Sequence, residues 1–270
     1  GPSLRSSIDK LDDITDGAAF LLGHNIVRHD LLALAKVFPS LKLNQLPAVD
    51  TLELSPITFP ANPYHSLVKD YKLVRDARSD PLKDAKLALK LWRDQYLAFE
   101  TLKASAPEEL ACYHFFLTRD NATGMGSFFA KLRGAMPPKA DEVRAAVVRL
   151  TTGKVCPQQL RELIDAAVSS PEIGRAFSYV LAWLRVSGGN SVLPPWVRLQ
   201  YPETTKQIRL LRETACSDPA CSYCSSYLNP SRELDRYFGF SAFRSEPKNA
   251  DGGSLQEDIV RAGYAGESLL

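Results

Sequence analysis

The chain has 270 residues, 45% of them hydrophobic and 24% charged, which is enough to bury a full core and long enough for two domains. A formal net charge of only +2 excludes a global basic field, so any contact to nucleic acid must come from local patches. No apolar run reaches the ~18 residues of a membrane span and no secretory leader is evident, and five cysteines, three of them grouped, fit a reducing compartment and metal binding better than disulfides. The expectation is therefore a cytoplasmic protein with no membrane partner.

In chain order, residues 4–16 predict an amphipathic helix, and Ala18 to Leu22 predict a short buried strand ending at Gly23-His24-Asn25. Ile26 to Val37 carry apolar residues at helical spacing, and Ala48 to Leu54 predict a second strand closed by a Pro56 to Pro63 loop. Asp80-Pro81 reads as a helix start, Asp80 as N-cap and Pro81 at the first helical position, with the helix running from Leu82 to about Leu102. Strand, helix, strand, helix predicts an incomplete α/β layer. From residue 106 onward the periodicity is helical: a helix opened by Pro107, then Met125 to Met136, Asp141 to Leu150, Pro157 to Ser169 and Ile173 to Val186. Ser187 to Asn190 breaks the chain, Pro194-Pro195-Trp196 reads as a stiff loop, and Thr204 to Thr214 predicts a further helix leading into the cysteines. Residues 246–254 read as a loop by composition.

Gly23-His24-Asn25-Ile26-Val27-Arg28-His29-Asp30, then Val49-Asp50-Thr51, then Ser79-Asp80-Pro81-Leu82-Lys83-Asp84 form an ordered set that resembles DEDD-type 3′→5′ exonucleases over roughly residues 15–95. The resemblance implies an RNase H-like layer and paired Mg²⁺ or Mn²⁺ ions. Asp30 and Asp84 match two of the carboxylate ligands and would be both catalytic and metal-binding. Two-metal hydrolysis needs several such carboxylates around ions about 3.5–4 Å apart. The chain departs from the pattern twice. It has no D-x-E on an apolar strand, so half the ligands are missing and are expected before residue 1. Ser79 stands where one subgroup has a general-base His, and Ser cannot take a proton near neutral pH as imidazole can. His65 is a substitute with no spacing argument behind it.

Cys216-x4-Cys221-x2-Cys224 is the most local chemical signal. Two thiolates of a C-x2-C pair reach one ion, and a third nearly completes a tetrahedral site. Cys156 is the candidate fourth ligand, unless that ligand lies outside the chain. Zinc, an iron–sulfur cluster, and no metal at all stay open, since all-Cys ligation serves the first two. Either metal would have a structural role, fixing the helical region to the C-terminal part of the chain. Cys112 and His114, within a predicted helix, read as core residues, as do Phe177, Trp183 and Trp196. Arg198 and Lys206 near Trp196 suggest a small DNA-facing patch.

Residues 234–244 (Leu-Asp-Arg-Tyr-Phe-Gly-Phe-Ser-Ala-Phe-Arg), with Leu255-Gln256-Glu257 after them, resemble the opening of RecQ-like superfamily 2 helicases. That resemblance implies ATP contacts from Arg244 and Gln256 and an aromatic platform from Tyr237 or Phe240. The separation between Arg244 and Gln256 is longer than the family's, and no G-x-x-x-x-G-K-[ST] phosphate loop is present. The expected fold is an α/β fragment, a partial RNase H-like layer, followed by a mainly helical connector, mostly helical overall. The expected divisions are an exonuclease-like part at 1–105, a connector at 106–200, a Cys-rich part at 201–230 and the start of a helicase at 231–270. Gly1-Pro2 reads as a tag scar, and the whole as an internal segment of a longer polypeptide. Its expected partners are ATP and DNA, as single strands or frayed ends. A non-catalytic DNA-binding or scaffolding module is the alternative.

Overall fold

The computed structural model describes residues 4–62, 81–119, 124–186 and 193–228. Most of these residues are helical, and the sheet has two strands. The chain forms two compact units, one at 1–212 and a second at 213–270.

In the first unit, α1 (Leu4–Ile14) precedes β1 (Leu21–Gly23), and α2 (Asp30–Val37) crosses over to β2 (Ala48–Asp50) after a 3-10 turn at Lys42–Gln45. The strands run parallel, with Leu22 opposite Val49 and Gly23 opposite Asp50. The crossover helix starts later than its apolar spacing predicts, at Asp30, because Asn25 takes a left-handed backbone (φ 58°) and residues 26–29 form a turn. Asn is one of the few residues that tolerates that region.

The second strand stops at Asp50, four residues before the predicted end, and α3 (Thr51–Thr58) occupies the place of the expected Pro56 loop. The reason is local: the Asp50 carboxylate accepts the Leu52 amide at 2.9 Å and so caps a helix. Then come α4 (Pro81–Ser105), α5 (Pro107–Leu117), α6 (Met125–Arg133), α7 (Ala140–Thr151), α8 (Pro157–Ser169), α9 (Pro171–Arg185), α10 (Pro195–Gln200) and α11 (Pro202–Glu213). The predicted stiff loop at Pro194-Pro195-Trp196 is the start of α10, with proline in the first turn, where its missing N–H costs nothing.

One apolar core crosses residue 106. Val49, Leu54, Ile57 and Phe99 share it with Phe116, Phe129, Val147, Ile164, Phe177 and Val180. Aromatic rings meet edge to face, Phe99 with Phe129 and Phe116 with Phe177, both at 5.5 Å. At Gly174 in α9 an added Cβ would lie 2.7 Å from the Ala167 carbonyl and 3.0 Å from Phe116 Cδ1, so glycine is what lets α8 and α9 approach here. Cys112 is wholly enclosed, and burial pushes its thiol up to about 12. His114 is equally enclosed and stacks on Phe129. Phe177 is core, and Trp183 and Trp196 pack partly buried against it.

Buried ion pairs join the α/β part to the helices within this unit. Glu53 in α3 accepts from the Tyr201 hydroxyl at 2.9 Å and lies 3.5 Å from Arg175 of α9. Arg185 donates to the last carbonyls of α3 at Ile57 (2.7 Å) and Thr58 (3.3 Å), and pairs with buried Glu109 at 3.4 Å. Arg119 likewise donates to the final carbonyls of α8, Ala167, Val168 and Ser169. Such cations at helix C-termini satisfy carbonyls that have no partner within the helix. In the second unit the described helix is α12 (Ser222–Tyr227).

Candidate functional site

The cysteine site is built by short-range structure. Asp218 closes a turn in which its carboxylate accepts the Ala220 amide at 2.9 Å and its carbonyl accepts the Cys221 amide at 3.2 Å. Cys221 is the N-cap of α12, and Cys224 stands one turn further on, so the C-x2-C pair presents two sulfurs from one helix start. Cys216, ahead of the turn, folds back: its amide donates to Cys224 Sγ at 3.4 Å, and the two sulfurs lie 3.6 Å apart. Cys221 and Cys224 are buried and Cys216 is half-buried. Cys156, the N-cap of α8, is buried too. The Sγ atoms of Cys156, Cys216, Cys221 and Cys224 all lie within 4.8 Å of one another, a set compatible with a zinc ion. Four convergent sulfurs are the donor set of a closed tetrahedral site.

The acidic site is less complete. Asp30 is the first residue of α2, exposed, with its carboxylate 3.5 Å from His29 Nδ1. Asp84 lies half-buried in the first turn of α4, a helix that packs on β1. Both carboxylates therefore sit at helix starts beside the same strand. Neither belongs to a group of three or more potential ligands among the described residues, where the cysteines form the one such group.

The turn before Asp30 is held by a residue the sequence places only on a strand. Asp50 Oδ1 accepts the amides of Asn25 (2.7 Å) and Leu52 (2.9 Å), and Oδ2 accepts that of Val27 at 3.3 Å. Thr51 completes the knot, its hydroxyl donating to the Gly23 carbonyl at 3.1 Å and lying 3.0 Å from His24 Nδ1. Burial is the largest influence on Asp50 and raises its carboxyl to about 6, with Glu53 adding to the rise and the three amides opposing it. Burial also lowers His24, favouring its neutral form. The signal for this role was an Asp directly ahead of a helix-compatible run, hidden by the apolar stretch around it. Arg28, two residues before Asp30, is anchored as well: it donates to the Tyr201 hydroxyl at 3.3 Å and lies over that ring at 5.5 Å.

Ser79 and His65 fall outside the described residues, as do Tyr237, Phe240, Arg244 and Gln256. Lys206 of the suggested DNA-facing patch is paired with Glu203. Among the described residues no helix is long and apolar enough to cross a membrane. Comparison with protein-family models, with curated proteins and with solved structures returns no match.

Proposed function

We propose that Cys156, Cys216, Cys221 and Cys224 hold one structural zinc ion, and that the chain serves in a DNA-processing enzyme in which a helicase is coupled to a 3′→5′ exonuclease. The observation that carries the metal is the convergence of four sulfurs within 4.8 Å. Thiolates around one zinc at about 2.3 Å each stand about 3.8 Å from one another, close to the 3.6 Å between Cys216 and Cys224. An iron–sulfur cluster interposes several irons and sulfides between its thiolates and holds them wider, so the spacing favours a single ion. All four positions are protein ligands, which leaves no open site for chemistry and makes the role structural. Elemental analysis of chain purified without added metal should find one zinc per chain, lost on Cys221→Ser with Cys224→Ser. An absorption band near 400 nm with iron in place of zinc would sink this assignment.

The nucleic-acid reading rests on the ordered motifs and on one structural observation that favours it. Two parallel strands joined by a crossover helix place Asp30 at the start of that helix, and the motif residues Asp50 and Thr51 hold the intervening turn. Asp30 and Asp84 would then supply two ligands to Mg²⁺ or Mn²⁺. Unwinding by the helicase would deliver the frayed single strands that the nuclease needs. The ATP contacts would fall to Arg244, Gln256 and the Tyr237 or Phe240 ring. Mg²⁺-dependent 3′→5′ degradation by the whole gene product, abolished by Asp84→Ala, is the expected result. Degradation unchanged by that substitution favours a non-catalytic scaffold instead.

A further inference from the structure

Exposed cations in this chain are mostly neutralised by a neighbour. Arg144 pairs with Asp141 at 2.9 Å and Asp165 at 2.8 Å, Arg149 with Glu108 at 2.8 Å, and Lys206 with Glu203. The outer face of α4 differs. Lys86, Lys90 and Arg93 are exposed and have no carboxylate partner among the described residues. With Lys83, also exposed, they recur at i, i+3, i+7 and i+10, a face about 80° wide. The helix buries its opposite side through Ala88, Gln95, Phe99 and Leu102, so the stripe points directly away from the core. Asp94, the exposed carboxylate on this stretch, stands at its flank.

We infer that this outer face of α4 is a track for the sugar-phosphate backbone of a nucleic-acid strand. The choice of polyanion rests on the proposed DNA-processing role. At 1.5 Å per residue the stripe is about 15 Å long, the length of about four phosphates at 3.4 Å per strand of duplex. Lys86 and Lys90 repel each other at i, i+4, and a polyanion relieves that repulsion while releasing its own counterions. Leu82, Leu89 and Leu97 lie along the same side and are 63%, 41% and 65% exposed. Seven or eight residues separate them, about 10–12 Å along the axis. They are isolated apolar points among cations, not the continuous seam that a partner helix or a bilayer requires.

The test is fluorescence anisotropy of a labelled single-stranded oligonucleotide against the 270-residue chain across a salt series. Three proteins are compared: the wild type, the variant Lys86→Glu/Lys90→Glu/Arg93→Glu, and the control Lys10→Glu/Lys36→Glu/Lys131→Glu. The control removes the same charge from exposed positions elsewhere, and circular dichroism checks that helix content is kept. The stripe variant should bind at least about tenfold more weakly, and its slope of log K against log salt should be shallower by about 2, from three lost contacts at ~0.7 each. The control should keep the wild-type slope. If the wild type binds and both variants lose affinity equally, or the stripe variant keeps its slope, the track is wrong and the nucleic-acid reading stands. A wild type that binds anionic vesicles but no oligonucleotide overturns the nucleic-acid reading itself, and the track with it.

Discussion

Replacing Asp50 by Asn tests how the turn ahead of Asp30 is held, because the structure separates what the carboxylate contributes from what its charge costs. Two of its three amide partners, Asn25 and Leu52, bond to the same oxygen, Oδ1, at 2.7 and 2.9 Å. An Asn can keep that oxygen in place. Only the longer Val27 contact to Oδ2, 3.3 Å, would face an NH2 group, a loss of about 1 kcal/mol. Against this stands the burial of an ionised group, which raises the carboxyl to about 6 from ~3.9 in an unfolded chain. At 1.36 kcal/mol per unit that is about 3 kcal/mol of stability present below the unfolded value and gone once the pH has risen through the folded one.

The sign is therefore the reverse of that for a paired surface carboxylate: ionisation of Asp50 weakens the fold as pH rises between about 4 and 6. Asp50→Asn should be about 1 kcal/mol or less destabilising near pH 4.5 and about 1 kcal/mol or more stabilising near pH 7.5, a swing of about 2 kcal/mol. Urea unfolding of both proteins at the two pH values reads the swing directly, and His24 and His114 cancel because both proteins carry them. Asp50→Ala, which frees all three amides, should cost about 2–4 kcal/mol at either pH. Equal effects of Asp50→Asn at both pH values would refute the argument, since they would mean the buried carboxyl ionises as it does in water.

Three further substitutions probe the helical core. Gly174→Ala places a Cβ 2.7 Å from a backbone carbonyl; the overpacking cost of about 1–3 kcal/mol exceeds the ~1 kcal/mol gained in helix propensity, so a rise in Tm would contradict the close approach of α8 and α9. Arg185→Met leaves the buried carboxylate of Glu109, which also holds the Tyr113 hydroxyl at 2.6 Å, without its cation. A loss of about 3 kcal/mol is expected, partly recovered when Glu109→Gln is added, and a strictly additive double-mutant cycle would rule the coupling out. His114 is pushed down to about 4, first by burial and then by Arg133, 2.7 Å from its Nδ1. It is neutral in the fold, so its contribution is present above about 6.5 and lost as pH falls toward about 4. His114→Gln should flatten the fall of Tm over that window, and an unchanged profile would place the dependence elsewhere.

How legible each feature is in the sequence depends on the range of the forces that set it. Pro107 and Pro157 announce helix starts because a missing N–H and a fixed φ act within one turn, and the mostly helical character comes from such signals together with the apolar period. The C-x2-C pair is equally local, since its spacing reflects one turn of α12. Cys156 could be named from the sequence, but its placement beside the other three cysteines is a tertiary fact. The misread strand end shows where local reading gives out: Ala48 to Leu54 is apolar enough for a strand, and only the carboxylate of Asp50, bonded 25 residues back to Asn25, decides that the chain turns into α3. Glu53 is less legible still, because its partners Arg175 and Tyr201 stand 122 and 148 residues away, and nothing local marks a buried Glu in an otherwise ordinary helix. The same reasoning bears on the acidic site. Local sequence can put Asp30 and Asp84 in the first turns of their helices, where the positive end of the helix dipole suits a carboxylate whether or not a metal is bound. Position at a helix start therefore counts little toward metal binding. The weight falls on residues that no helix end requires, namely the Asp50 and Thr51 knot that fixes the turn before Asp30, and this is why breaking the knot tests the site more sharply than neutralising Asp30 alone.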